Sequence, residues 1–297
     1  MEKGYLMGPF DSPPFDSYRV SPVGLAEHKY SGKKRLIVDL SSPRNHPSHP
    51  SINELIDKQE YSLSYVRIDD AIKIIKKLGP GSWLCKCDIK DAFKQLPISP
   101  DLWHLYGIKW KAKYYFFTRL VFGSRSSPKI FDTLSEGLVW IAQHKLGIQY
   151  ILHLLDDFLT IDSADAEPMR NMALLTLLFN SLGIPLSQHK TVGPVHELEY
   201  LGIILDTVQM QARLPQDKMK RISLKLADFS SRRTCTKREL LSLIGHLVFA
   251  SRVVIPGRTF MSRLFQAVKP LKELHHRVTL SSSCKADLSM WTYLLTH

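Results

Sequence analysis

Two aspartates stand side by side between apolar β-type runs: Ile148 to Leu155 precedes Asp156-Asp157, and Phe158 to Ile161 follows. Ionised carboxylates flanked by Leu, Ile and Phe lose hydration, a cost that a cation or a paired group must offset. The pattern reads as a hairpin of buried strands with the acidic pair at its tip. Asp88 occupies a like setting, at the end of the strand-forming run Trp83 to Ile89, in Cys87-Asp88-Ile89-Lys90-Asp91-Ala92-Phe93. Asp69-Asp70 is the contrasting pair. It precedes Ala71 to Leu78, whose apolar positions have helical spacing, so its charges serve the positive end of a helix dipole. Carboxylates on rigid strands are hard oxygen donors that suit magnesium. Phosphoryl transfer to a hydroxyl uses two such ions about 3.5–4 Å apart, held by acids converging from separate strands. Asp88, Asp156 and Asp157 are therefore the candidate catalytic and metal-binding acids.

No segment approaches the roughly 18 uninterrupted apolar residues of a membrane span, and Met1-Glu2-Lys3-Gly4 lacks the basic-then-apolar layout of a signal peptide. A soluble, intracellular protein without membrane contact is expected, in cytoplasm or nucleus. The four cysteines are too few for a disulfide framework, and Cys85 and Cys87 share one strand face, so reduced thiols are expected. Lys and Arg total 40 against 28 Asp and Glu. The excess is concentrated: residues 213–297 hold 16 basic and 5 acidic side chains, while residues 1–212 are almost balanced. The C-terminal part is the candidate polyanion-facing surface.

The first fifty residues, rich in Pro, Ser and Gly, read as an extended arm with a hairpin turning at Ser31-Gly32 and a strand at Arg35 to Leu40. Strands are expected at Trp83 to Ile89, His104 to Trp110 and Lys113 to Arg119. Ser127 is read as the N-cap of a helix with Pro128 at its first position and Ile130, Phe131, Leu134, Leu138, Ile141 and Ala142 along one face. Met169, Met172, Leu175, Phe179 and Leu182 stripe the next helix. Tyr200 to Leu205 and Gln209 to Leu214 are read as a hairpin, and helices are expected at 216–229, about 237–251 and about 258–268. The order of elements predicts an α+β fold with a basic, mainly helical C-terminal module.

With these segments in place, the chain resembles the reverse transcriptases, and among them the polymerases of retrotransposons of the DIRS and Ngaro kind, over nearly its whole length. The similar segments run in the family's order. They begin with Ser21-Pro22-Val23-Gly24-Leu25 and Arg35 to Ser41, then Cys87 to Phe93 and Phe122-Gly123-Ser124-Arg125-Ser126-Ser127-Pro128. Leu154-Leu155-Asp156-Asp157, Leu182-Gly183 through Lys190-Thr191, and Glu199-Tyr200-Leu201-Gly202 follow. Leu243-Ile244-Gly245-His246-Leu247 and Pro256-Gly257-Arg258 resemble the thumb of that group. Leu154 stands where the family commonly has Tyr, and Arg125-Ser126-Ser127 replaces a more usual Lys-Asn-Ala; neither change removes an acid.

The resemblance implies a right-hand polymerase. Its parts are an N-terminal arm and fingers at 1–82, a palm of antiparallel sheet packed on helices at 83–206 with a fingers hairpin at about 97–127, and a helical thumb at 207–297. It implies RNA-directed DNA polymerase activity: transfer of dNMP to a primer 3′-hydroxyl with two Mg2+, or Mn2+, and an RNA or DNA template. Asp88 and Asp156 would bind both ions, with Asp157 completing the cluster. Arg35, assisted by Lys29, would close on the triphosphate, since a guanidinium makes bidentate phosphate contacts. Phe93 would lie beneath the sugar and leave no room for a 2′-hydroxyl. Phe122 and Gly123 would approach nucleotide and template, and Lys190 the leaving pyrophosphate. Tyr200, Leu201 and Gly202 would hold the primer end, and Arg232 and Arg233 the duplex phosphates. A ribonuclease H domain is expected to be absent. Two other functions use much of the same set: an idle or domesticated element that only binds nucleic acid, and an RNA-dependent RNA polymerase. Protein partners are not legible.

Overall fold

The computed structural model describes residues 3–27, 32 and 34–296, so Lys29 and the Ser31 half of the expected turn lie outside the described residues. In chain order the arm forms β1 (Leu6–Phe10), followed by the hairpin of β2 (Val23–Glu27) and β3 (Lys34–Val38). Helix α1 (Ile68–Leu78) precedes β4 (Trp83–Asp88), β5 (Gly107–Trp110) and β6 (Lys113–Phe117). Helix α2 (Ser127–His144) leads into β7 (Ile151–Leu154), β8 (Asp157–Asp162) and α3 (Arg170–Ser181). Strands β9 (Val192–Val195), β10 (Glu197–Tyr200), β11 (Ile203–Asp206) and β12 (Gln211–Arg213) follow. The remainder is α4 (Gln216–Ser231), β13 (Thr234–Thr236), α5 (Lys237–Ala250), α6 (Ser262–Val268), β14 (Arg277–Thr279) and α7 (Ser282–Thr296).

The chain divides into two compact units, Met1–Val66 with Trp83–Pro194, and Arg67–Ser82 with Val195–His297. In the first, a four-stranded sheet in the order β7-β8-β4-β9 is the centre. Its apolar side chains, Cys85, Cys87, Ile151 and Phe158, join Phe131, Leu138 and Ala142 of α2 and Met172, Leu175 and Phe179 of α3 in one core. Burying a side chain the size of Phe158 or Phe179 contributes about 1.5–3 kcal/mol. The arm is more ordered than its composition suggests, because β1 pairs antiparallel with β6. The expected strand from His104 is shorter, since Pro100–Leu105 forms a 3-10 turn and only Gly107–Trp110 pairs.

Helix α2 begins one residue earlier than its sequence suggests. Ser126, not Ser127, stands at the cap position, and its side chain makes no cap hydrogen bond, pairing instead with the Ser124 hydroxyl at 3.1 Å. The buried face keeps Phe131, Leu138 and Ala142 and takes in Ser127, Asp132 and Ser135, while Ile130 is exposed.

In the second unit β10, β11 and β12 form a meander. The run read as a single strand from Tyr200 to Leu205 is broken by a tight turn in which Leu201 (φ 47°) and Gly202 (φ 80°) are both left-handed. A positive φ at both central residues matches the right-handed twist of the flanking strands. Helix α5 starts at a reciprocal cap: Thr236 Oγ1 accepts from the Glu239 amide at 3.2 Å, and Glu239 Oε2 accepts from the Thr236 amide at 2.7 Å. These bonds, with Arg232 at 2.8 Å, pull the Glu239 carboxyl down to about 2. A carboxylate depressed on folding contributes stability above its ordinary range and loses it as the pH falls toward 2. Thr236→Ala is expected to cost about 1 kcal/mol. Glu239→Gln should lower the melting temperature at neutral pH and flatten its decline between roughly pH 4.5 and 2. Parallel parental and variant profiles in calorimetric melts across that range would contradict this.

Candidate active site

The acids are brought together by strand register. Antiparallel β4 and β8 pair so that Asp88 lies opposite Asp157, which puts both side chains on one face. The β7–β8 turn is tight: Leu155 is left-handed (φ 53°), and its carbonyl accepts from the buried Ser135 hydroxyl of α2 at 2.8 Å. The Asp156 carbonyl accepts from the Ile89 amide at 3.0 Å, tying the turn to the end of β4. A third segment closes the site. Lys90 donates its amide to Pro185 and Ser187 donates to the Asp88 carbonyl, each at 2.8 Å, so residues 185–190 run beside the strand end. Lys190 Nζ then reaches Asp88 Oδ2 at 2.7 Å.

Electrostatics follow from this crowding. Burial, then repulsion from Asp88 and Asp156, pushes the Asp157 carboxyl up to about 6. Burial and the Asp88 charge also raise Asp156, with Lys190 opposing. The hydrogen bond to Asp88 raises Lys190 in turn. Three acids thus face Lys190, with Lys86 also opposing the charge on Asp157, and the raised carboxyls mark a cluster that favours further positive charge. As the side chains stand, no group of three or more His, Cys, Asp or Glu among the described residues is arranged to hold an ion. The Lys190 ammonium occupies one Asp88 oxygen instead. Donor chemistry, common face and residual charge fit hard divalent ions, and the ammonium holds the position such a cation would contest.

Asp88 and Asp156 open onto a cavity of about 1020 Å3 whose lining also includes Lys190, Val38, Lys94 and Phe122. Phe122 is 57% exposed, and its ring lies 4.6 Å from that of Phe93. Phe93 is buried at 7% and also meets Phe131 edge-on at 5.6 Å, so it forms the support behind Phe122 rather than the cavity wall. Gly123 is left-handed (φ 101°), and a Cβ there would stand 2.7 Å from the Val38 carbonyl, so only glycine lets this loop lie against β3. Arg35 lies on β3 opposite Ala26; its side chain is outside the described atoms, as is all of Lys29.

Sequence reading missed three residues here. Asp91, left-handed at φ 53°, takes the Lys3 ammonium at 2.7 Å and the Tyr5 hydroxyl at 3.2 Å, fastening the arm to the turn before Phe93. Lys94 is lowered to about 8 by burial, donates to the Leu120 carbonyl at 2.9 Å and lies over the Phe117 ring. Its place one residue after Phe93 was the only signal. Asn53 is the third, its side-chain amide donating to the Gly123 carbonyl at 2.9 Å.

In the second unit Tyr200 is 1% exposed, so its ring is core; the β10–β11 hairpin presents the Leu201-Gly202 turn instead. Arg232 pairs with Asp228 at 2.7 Å and Glu239 at 2.8 Å within the unit. Arg233 follows directly, its backbone carbonyl bonded to the Leu280 amide.

The sheet thus gathers three carboxylates beside a lysine, two of them at the mouth of a large cavity. Residues 12–205 match the family described as reverse transcriptase (RNA-dependent DNA polymerase), and the chain belongs to it. It is similar to the Pro-Pol polyprotein of simian foamy virus type 1, 22% identical over 276 residues, which is 88% of this chain and 21% of that protein. Among solved structures, a foamy viral protease-reverse transcriptase in complex with double-stranded DNA matches with a TM-score of 0.73 at 19% identity. That match covers 100% of this chain and 46% of the other. The same kind of enzyme in complex with an RNA/DNA hybrid matches at 0.71 and 18% identity, covering 99% and 35%. The chain thus has the reverse transcriptase polymerase fold and spans less than half the length of these relatives. No helix among the described residues is long and apolar enough to cross a membrane.

Proposed function

We propose that the chain is an RNA-directed DNA polymerase that adds dNMP to a primer 3′-hydroxyl on an RNA or DNA template. The observation that carries the reading is the register of Asp88 against Asp157, with Asp156 beside them and Lys190 on Asp88, at the mouth of one cavity. Asp88, Asp156 and Asp157 would hold two Mg2+, or Mn2+. Such ions make the hydroxyl a nucleophile and stabilise the charge of the triphosphate. Lys190 sits where a cation offsets charge developing on the pyrophosphate. Arg35, on β3, whose residues Leu36 to Val38 line the cavity, supplies a phosphate contact, with Lys29 assisting. Phe93 and Phe122 set the room available at the sugar, and the Gly123 backbone gives nucleotide and template a close approach. The Leu201-Gly202 turn holds the primer end. The solved neighbours are complexes with double-stranded DNA or an RNA/DNA hybrid, which supports a primed duplex as the partner.

The finer kinship, a DIRS/Ngaro-like retrotransposon polymerase, is supported by Leu243 to Leu247 on α5 and by Pro256-Gly257-Arg258. Gly257 is required because a Cβ there would strike the Trp291 ring of α7. The arm and fingers at 1–82, palm at 83–206 and thumb at 207–297 remain the proposed functional division.

Primer extension with dNTPs and Mg2+ tests the activity, with Asp156→Asn as control. Extension by the parent and none by the control is the expected result. Tight duplex binding without parental extension would favour the idle, binding-only element, and preferential use of rNTPs would favour an RNA polymerase.

Duplex contact in the C-terminal unit is proposed at Arg232 and Arg233 and in the cleft between α4 and α5, lined by Lys218, Arg221, His246 and Phe249. Each phosphate contact adds about 0.9 to the slope of log affinity against log salt. Arg232→Ala with Arg233→Ala is expected to flatten that slope by roughly 2. An unchanged slope would return both residues to the solvated surface.

A further inference from the structure

Phe122 and Gly123 lie on a loop with little local bonding of its own; the Ser124 amide reaches the Val121 carbonyl at only 3.3 Å. The tie that fixes this loop comes from about seventy residues away. Asn53 sits in a 3-10 turn, Ile52–Glu54, held by a Ser51–Glu54 capping box. It is 8% exposed and spends its whole amide on three partners. Nδ2 donates to the Gly123 carbonyl at 2.9 Å and to Ser41 Oγ at 2.8 Å, and Oδ1 accepts from the Arg125 amide at 2.8 Å. The orientation is unambiguous, because a flipped amide would turn oxygen to carbonyl and N–H to N–H. Asn53 also donates its backbone amide to the Leu40 carbonyl at 3.0 Å, and Arg125 Nη1 adds a second tie at Ile56 O, 2.7 Å.

We infer that Asn53 is a positioning residue for the nucleotide pocket: its amide clamps the 121–125 loop to the end of β3 and so holds Phe122 over Phe93 at the cavity wall. The inference rests on the polymerase reading for what the pocket binds. Its geometry does not. A buried amide with every donor and acceptor matched fixes its surroundings more tightly than packing alone, and leaving the Gly123 carbonyl and Arg125 amide unmet would free the loop. Aspartate is the informative replacement, being nearly isosteric yet presenting oxygen to the Gly123 and Ser41 oxygens.

The experiment pairs two readouts on Asn53→Asp and on Asn53→Ala, which removes the bonds without adding charge. The first is steady-state primer extension. We expect the KM for dNTP to rise about tenfold with kcat within about twofold of the parent. The second is amide hydrogen exchange, in which residues 123–125 should lose protection while α3 and α7 keep theirs. Parental KM with full protection of the Arg125 amide would overturn the inference. So would a fall in kcat that tracks lost protection across the whole first unit, the mark of a merely structural role. If the parent itself does not extend primers, the polymerase reading fails, and exchange at 123–125 still decides the role of Asn53.

Discussion

Asp157→Asn is expected to reduce primer extension by about a thousandfold or more and, at neutral pH, to melt higher than the parent. Losing one charged ligand from a two-ion site removes several kcal/mol of transition-state stabilisation, and each 1.4 kcal/mol is about tenfold in rate. The stability effect has the opposite sign. A carboxyl raised on folding binds its proton more tightly in the native state. Its contribution is therefore favourable below the ordinary aspartate range and is lost as the pH rises toward about 6. Above that pH the folded protein bears the full cost of an ionised group pressed against Asp88 and Asp156. Neutralising it should return on the order of 1 kcal/mol after solvent screening, or roughly 2–4 °C. Added Mg2+ or Mn2+ should raise the parental melting temperature and move the variant less. A variant that melts below the parent at pH 7.5 would mean that these acids are structural partners rather than a strained ligand set, and undiminished extension would remove their catalytic role.

The same desolvation logic explains what could be read from sequence and what could not. Asp156-Asp157 and Asp88 were legible because unpaired acids inside apolar runs are costly, whereas Asp69-Asp70 lies at a helix start, where the Asp70 side chain accepts from the Arg67 amide. Lys190 was legible only through the family resemblance: nothing in residues 182–191 announces that a loop will run beside β4 and deliver an ammonium 2.7 Å from Asp88. Helix α7 escaped notice although Cys284, Leu288, Trp291 and Leu295 have helical spacing, because Asp287 interrupts the buried face. That acid is tolerated by Arg263 at 3.1 Å, a partner on another helix. The break at Leu201-Gly202 was hidden because a left-handed leucine has no sequence signature. Asn53 was hidden for a related reason: polar satisfaction across seventy residues is a tertiary property, and a lone Asn in a Pro- and Ser-rich segment reads as a turn.

Phe93→Val is expected to raise incorporation of rNTPs relative to dNTPs by about 10–100-fold, since excluding one oxygen by overpacking costs roughly 1–3 kcal/mol. Phe93 is buried and Phe122 exposed, so the exclusion acts through a pair: the Phe93 ring, backed by Phe131, limits how far Phe122 can recede from a ligand in the cavity. Removing the support should then relax selection more than removing the surface ring, because Phe122→Ala leaves the Phe93 floor in place and chiefly weakens nucleotide binding. Single-nucleotide extension with matched dNTP and rNTP, at several concentrations of each, separates the cases. A larger change with Phe122→Ala would make the exposed ring the gate. No change with either variant would return Phe93 to the core it packs in, and the choice of sugar would have to come from the β2–β3 side of the pocket.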